Sequence, residues 1–133
     1  MSKTILVIDD NKTIMSAFRF ALEGTPYTLI TTSKGGEGVA CVRSKQIDLI
    51  YMDIEMEDAS VVDTLREIRS HDKSVPIYII TPFEQKFMDM LLPLKSEGIS
   101  FDLLNKPCNI DAITLITESV LDGINYLKGG FLK

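Results

Sequence analysis

Histidine and cysteine are scarce: of 133 residues one is histidine, His71, and two are cysteine, Cys41 and Cys108. The cysteines lie far apart, without CxxC spacing and without a histidine partner, so a zinc site or a cysteine nucleophile is set aside and buried thiols are expected. His71 follows the third helical pattern, where a cation would meet the carbonyl end of the helix dipole, and it is given no catalytic role. No apolar run approaches the length of a membrane span and no charged-then-apolar leader opens the chain, so a cytoplasmic protein without a membrane partner is expected. Cations are outnumbered, 14 Lys and Arg against 19 Asp and Glu, for a formal net charge of −5 and a pI near 4.8. That balance argues against direct nucleic-acid binding, which needs clustered Lys and Arg, and points to protein partners. Internal repeats and low-complexity segments are absent as well.

What remains is enough for one core, since 133 residues with 45% hydrophobic content suit a single domain. We expect that domain over 1–128, with 129–133 as a tail or truncated linker. Strand and helix signals alternate along it, five of each, which is the pattern of βαβ units and a parallel sheet covered on both faces. Strands are expected at Thr4 to Ile8, Tyr27 to Thr31, Leu49 to Asp53, Pro76 to Thr81 and Phe101 to Asn105. Asn11 caps a helix to Glu23, and Ser33 introduces one to about Arg43 that Gly35, Gly36 and Gly38 weaken. A third begins near Ser60 with Val61, Leu65 and Ile68 on one stripe. The fourth carries Phe87, Met88, Leu91 and Leu94 but should kink or break at Pro93. Asn109 caps a long last helix lined by Ile113, Ile116, Val120, Ile124 and Leu127.

The chemistry-bearing residues stand just past the strands. Asp9 and Asp10 follow strand one, Asp53 ends strand three, Thr81 ends strand four, and Lys106 precedes Pro107 after strand five. In a parallel α/β sheet the carboxyl ends of the strands open onto one crevice, so these side chains from four distant segments are expected to meet. Each has a plainer reading: a helix cap or turn for the acidic pair, a β-branched strand end for Thr81, a solvated loop for Lys106. For Asp53 the plain reading is a structural ion pair with Lys106, because a carboxylate directly after an apolar strand is costly without a cation nearby.

Taken in order and spacing, Asp9-Asp10, Asp53, Thr81 and Lys106-Pro107 resemble the receiver domain of bacterial response regulators across nearly the whole chain. The resemblance implies a flavodoxin-like doubly wound α/β fold with five parallel strands in the order 2-1-3-4-5. It implies Asp53 as phosphoacceptor, Lys106 in contact with the phosphoryl oxygens, and Thr81 as a hydroxyl that closes on them afterwards. Magnesium is the implied cofactor, bound directly by Asp10, Asp53 and the Glu55 backbone carbonyl and by Asp9 through water. A cis Lys106-Pro107 bond is implied too. The implied upstream partner is a histidine kinase or phosphotransfer protein. Downstream it is an output protein, an effector domain of a longer chain, or a second receiver in a homodimer.

The chain departs from that family around the site. Met56-Glu57 and Ser60-Val61 replace a Met-Pro step and an Asp-Gly step, and Leu103 stands where an aromatic residue is usual. Pro82 follows Thr81 and has no N–H to offer a phosphoryl oxygen. The rival reading is a pseudo-receiver, an interaction module that keeps the acidic pocket without being phosphorylated. An aspartyl phosphohydrolase is disfavoured by Asp53-Ile54-Glu55 and the lack of a cap domain, and a flavodoxin by the acid after strand one. The expected function is thus that of a phosphoacceptor signalling domain, not an enzyme beyond self-phosphorylation and autodephosphorylation.

Overall fold

A computed structural model describes residues 2–56 and 60–123. It contains β1 (Thr4–Ile8), α1 (Lys12–Leu22), β2 (Thr28–Thr32), α2 (Gly35–Ser44) and β3 (Leu49–Asp53), then α3 (Val61–His71), β4 (Ile77–Thr81), α4 (Gln85–Ser96), β5 (Asp102–Asn105) and α5 (Ile110–Asp122). All neighbouring strands are parallel, in the order β2-β1-β3-β4-β5. The expected fold is therefore the observed one. Strand alternation divides the core into two layers. Leu6, Ile8, Ile50, Met52, Ile77 and Ile79 meet α2, α3 and α4 on one face. Ile5, Val7, Leu49, Tyr51 and Ile80 meet α1 and α5 on the other. A strand buried on both faces reads as an unbroken apolar run, which is why β1 and β3 are so visible in the sequence.

Caps are satisfied where the sequence offers them. Asn11 accepts from Thr13 N and Ile14 N, Ser60 from Asp63 N, and Asn109 from Ala112 N. Several boundaries differ from expectation. Pairing of Thr4 with Thr28 through Ile8 with Thr32 moves β2 one residue on, and β4 and β5 each start one residue late. Lys34, not Ser33, precedes α2 and makes no side-chain cap. Pro93 does not break α4, which runs through it to Ser96. Only the bond to the Asp89 carbonyl is forgone there, while Leu91 and Leu94 are buried on either side. The helix end is held further by Arg66, whose Nε and a terminal nitrogen donate to both Glu97 carboxylate oxygens at 2.8 and 2.6 Å.

The last helix is shorter than its stripe suggested. It stops at Asp122, where Gly123 adopts a left-handed conformation at φ 67° that residues with a Cβ resist; Ile124, Leu127 and the tail lie outside the described residues. His71 is the last residue of α3, and its Nε2 accepts a hydrogen bond from Arg43 Nε at 2.9 Å. Cys41 and Cys108 are free thiols, half-buried and buried. Among the described residues no helix is long and apolar enough to cross a membrane.

Candidate functional site

The strand order reverses between β1 and β3, because β2 lies to one side of β1 and β3 to the other. Chains leaving these two strands diverge, and the gap between them is where an α/β sheet places its site. Asp9 leaves β1 fully buried, its N–H donating to Thr32 O at 2.9 Å and its Oδ1 accepting from Asn11 N at 2.8 Å. Asp10 is exposed beside it, and Asp53 closes β3 at 2% exposure. One carboxylate oxygen from each of the three lies within 4.8 Å of the others.

Two of those buried oxygens, Asp9 Oδ2 and Asp53 Oδ1, have no hydrogen-bond partner. A buried carboxylate oxygen in that condition calls for a cation. Lys106 supplies part of it. Its main-chain N–H donates to Thr81 O, extending the β4–β5 ladder, and its Nζ lies 2.8 Å from Asp53 Oδ1 and 3.2 Å from Glu55 Oε1. The ammonium pairs with Asp53 Oδ1 at ion-pair distance, and no other described residue serves that oxygen. The Lys106-Pro107 bond is cis.

Burial raises the Lys106 desolvation cost, yet the bonds and charges of Asp53 and Glu55 more than offset it and hold the ammonium above its ordinary range. Asp9 goes the opposite way for an acid. Burial, aided by the Asp53 and Asp10 charges and opposed by the Asn11 N–H and Lys106, pushes it up to about 6. Cys108 is pushed up to about 11, by burial first and then by the Asp9 charge, so its thiol stays protonated.

Thr81 is fully buried at the end of β4, one residue past the Asp53–Ile80 pairing. Its Oγ1 accepts from Phe83 N at 3.2 Å. The structure thus gathers Asp9, Asp10, Asp53 and Lys106 into one cluster and sets Thr81 on the adjoining strand end. Glu57 lies outside the described residues. Sequence reasoning missed two participants. The Glu55 side chain shares Lys106, a contact its spacing two residues after Asp53 permits but does not announce. Phe83 carries the N–H that meets Thr81, and only the proline before it hinted that the next donor along the chain would take on that contact.

The model of the response regulator receiver domain matches residues 5–118. Among curated proteins, the transcriptional regulatory protein ZraR of Klebsiella oxytoca is 29% identical over 117 residues, 88% of this chain and 26% of its own. The alkaline phosphatase synthesis regulator PhoP of Bacillus subtilis is 27% identical over 91% of this chain and 49% of its own. The chain spans between about a quarter and a half of such relatives. Among solved structures, chemotaxis response regulator CheY4 of Vibrio cholerae superposes with a TM-score of 0.75 at 22% identity, covering 91% of this chain and all of that one. The receiver domain of the Pseudomonas aeruginosa histidine kinase PA1611, described with magnesium in its active-site cleft, scores 0.73 at 20% identity, covering 92% and 99%.

Proposed function

Since this chain belongs to the response regulator receiver family, we propose that it accepts a phosphoryl group on Asp53 from a phosphorylated histidine of a kinase or phosphotransfer protein. The observation carrying this reading is the buried Asp53 carboxylate between the Lys106 ammonium 2.8 Å away and the carboxylates of Asp9 and Asp10. A lone structural ion pair would not need two further carboxylates against it.

In the reaction an Asp53 oxygen forms a bond to phosphorus as the bond from phosphorus to the donor imidazole nitrogen breaks. The imidazole leaves with that electron pair and takes a proton from solvent. Lys106 is placed to meet the incoming phosphoryl oxygens as a point charge. Its hold on Glu55 keeps the ammonium at the mouth of the pocket. Thr81 supplies a hydroxyl from the adjacent strand. The three carboxylates fit magnesium, an oxygen-seeking cation, with Asp10, Asp53 and the Glu55 carbonyl as direct ligands and Asp9 through water. When bound, that ion neutralises the charge that otherwise repels a phosphoryl donor from an acidic pocket.

The domain is a phosphoacceptor whose output runs through protein contacts, either to a separate partner or to an effector region of a longer chain. Incubation with acetyl phosphate and magnesium is expected to add one phosphoryl mass to the wild type and none to Asp53→Asn. Labelling that persists in Asp53→Asn overturns the assignment. No labelling of the wild type, with magnesium bound, assigns the chain to the phosphorylation-independent interaction modules.

A further inference from the structure

The amino ends of the strands carry a cavity of their own, a strand's length from Asp53. It measures about 240 Å³, opens between the end of α3 and the turn leading into β5, and is lined by Arg69, Lys73, Gly98, Ile99 and Ser100. Two of those five residues are cations and none is an acid. Arg69 is only 9% exposed. Its guanidinium has five N–H groups, of which four donate to main-chain carbonyls. Nε and Nη2 reach Ser100 O at 3.2 and 2.8 Å, and Nη1 reaches Val75 O at 2.7 Å and Asp72 O at 3.3 Å. One Nη2 N–H is left over.

Carbonyls accept hydrogen bonds but carry no net charge. Among the described residues neither Arg69 nor Lys73 pairs with a carboxylate. Two acids close by in the chain are engaged elsewhere: Asp72 accepts from Ser74 N and Val75 N, both at 3.0 Å, and Glu97 holds Arg66 through both its oxygens. Asp72 still favours the Arg69 charge from a distance, but burial outweighs it and pulls the guanidinium below its ordinary range. A buried cation without a matching anion is costly. The plain reading, that Arg69 only ties α3 to the turn before β5, accounts for its bonds to three carbonyls. It leaves unexplained the spare N–H and the second cation at the same cavity.

We propose that this cavity binds the phosphoryl group of a small phosphorylated ligand. Arg69 donates its remaining N–H, Lys73 supplies a mobile point charge, and the exposed Ser100 hydroxyl, which has no partner among the described residues, is a further donor. Two formal positive charges match a phosphate monoester, at about −1.5 to −2 near neutral pH, better than they match a single carboxylate. The volume lies below the roughly 300 Å³ at which drug-sized pockets begin, so it suits a head group and not a large ligand. The site is separate from the Asp53 pocket and does not depend on the phosphoacceptor reading.

The test is a titration of the isotope-labelled full chain with inorganic phosphate, in magnesium-free buffer at constant ionic strength, followed by NMR of the main-chain amides. The amides of Lys73, Ile99 and Ser100 are expected to shift and to saturate. Acetate at the same concentrations is expected to move them less. Lys73→Gln alters an exposed side chain and spares the fold, and it is expected to weaken phosphate binding roughly two- to fivefold; Lys73→Glu is expected to abolish saturation. Shifts that never saturate, shifts confined to the surroundings of Lys106, an equal response to acetate, or saturation indifferent to Lys73→Glu would each overturn the proposal.

Discussion

The surroundings of Asp9 oppose its charge. An acid with a folded pKa near 6, above its ordinary 3.8, binds more protons folded than unfolded between those values. The metal-free chain therefore loses stability as pH rises through that window, and the full penalty is present above it. A shift of two units corresponds to about 2–3 kcal/mol. Asp9→Asn keeps an oxygen for the Asn11 N–H and removes the charge, so in metal-free buffer at neutral pH it is expected to gain about 1–2 kcal/mol, an advantage that fades toward pH 4. Urea unfolding at the two pH values checks this, and a variant less stable than wild type at neutral pH would refute the account. The acidic pair itself was legible in the sequence as candidate chemistry. Its separation into a buried and an exposed partner was not, because that depends on Asp9 being tied down by both Thr32 and Asn11 across two chain segments.

At the scale of elements, α2 shows what a single sequence hides. Its three glycines read as weakness because glycine disfavours helix by about 1 kcal/mol relative to alanine. One of them is required by packing. A Cβ at Gly38 would stand 2.3 Å from Ile8 Cδ1 and 2.8 Å from Cγ1, and Ile8 is fully buried in β1, so it cannot swing clear. Gly36 meets nothing within 4 Å. Gly36→Ala is therefore expected to stabilise the chain by up to about 1 kcal/mol, while Gly38→Ala destabilises it by about 1–2 kcal/mol once overpacking outweighs the propensity gain. Matching signs for the two variants in chemical denaturation would show that α2 does not approach β1 this closely. The caps at Asn11 and Asn109 were legible because they depend on residues a few positions apart. Passage of α4 through Pro93 was not, because it depends on Leu91 and Leu94 being buried by distant strands.

For the whole molecule, order along the chain made the crossover pattern readable, whereas the sheet order came from resemblance; no periodicity states which side of β1 receives β3. That order creates the site, since it brings the ends of β1 and β3 together with three carboxylates and one ammonium. The cluster is short of positive charge, and the chain as a whole, at −5, adds to the deficit. A divalent cation bound only by the folded chain must then stabilise it by mass action, by about 1.4 kcal/mol at ten times its dissociation constant. For a domain of this size that is a rise of several degrees, roughly 3–6 °C, in the melting temperature. Millimolar magnesium is expected to produce that rise in the wild type, and Asp10→Asn is expected to lose most of it while still melting cooperatively. A melting temperature indifferent to magnesium would mean that Lys106 alone balances the carboxylates, and the cluster would then be a buried ion pair with no cation site.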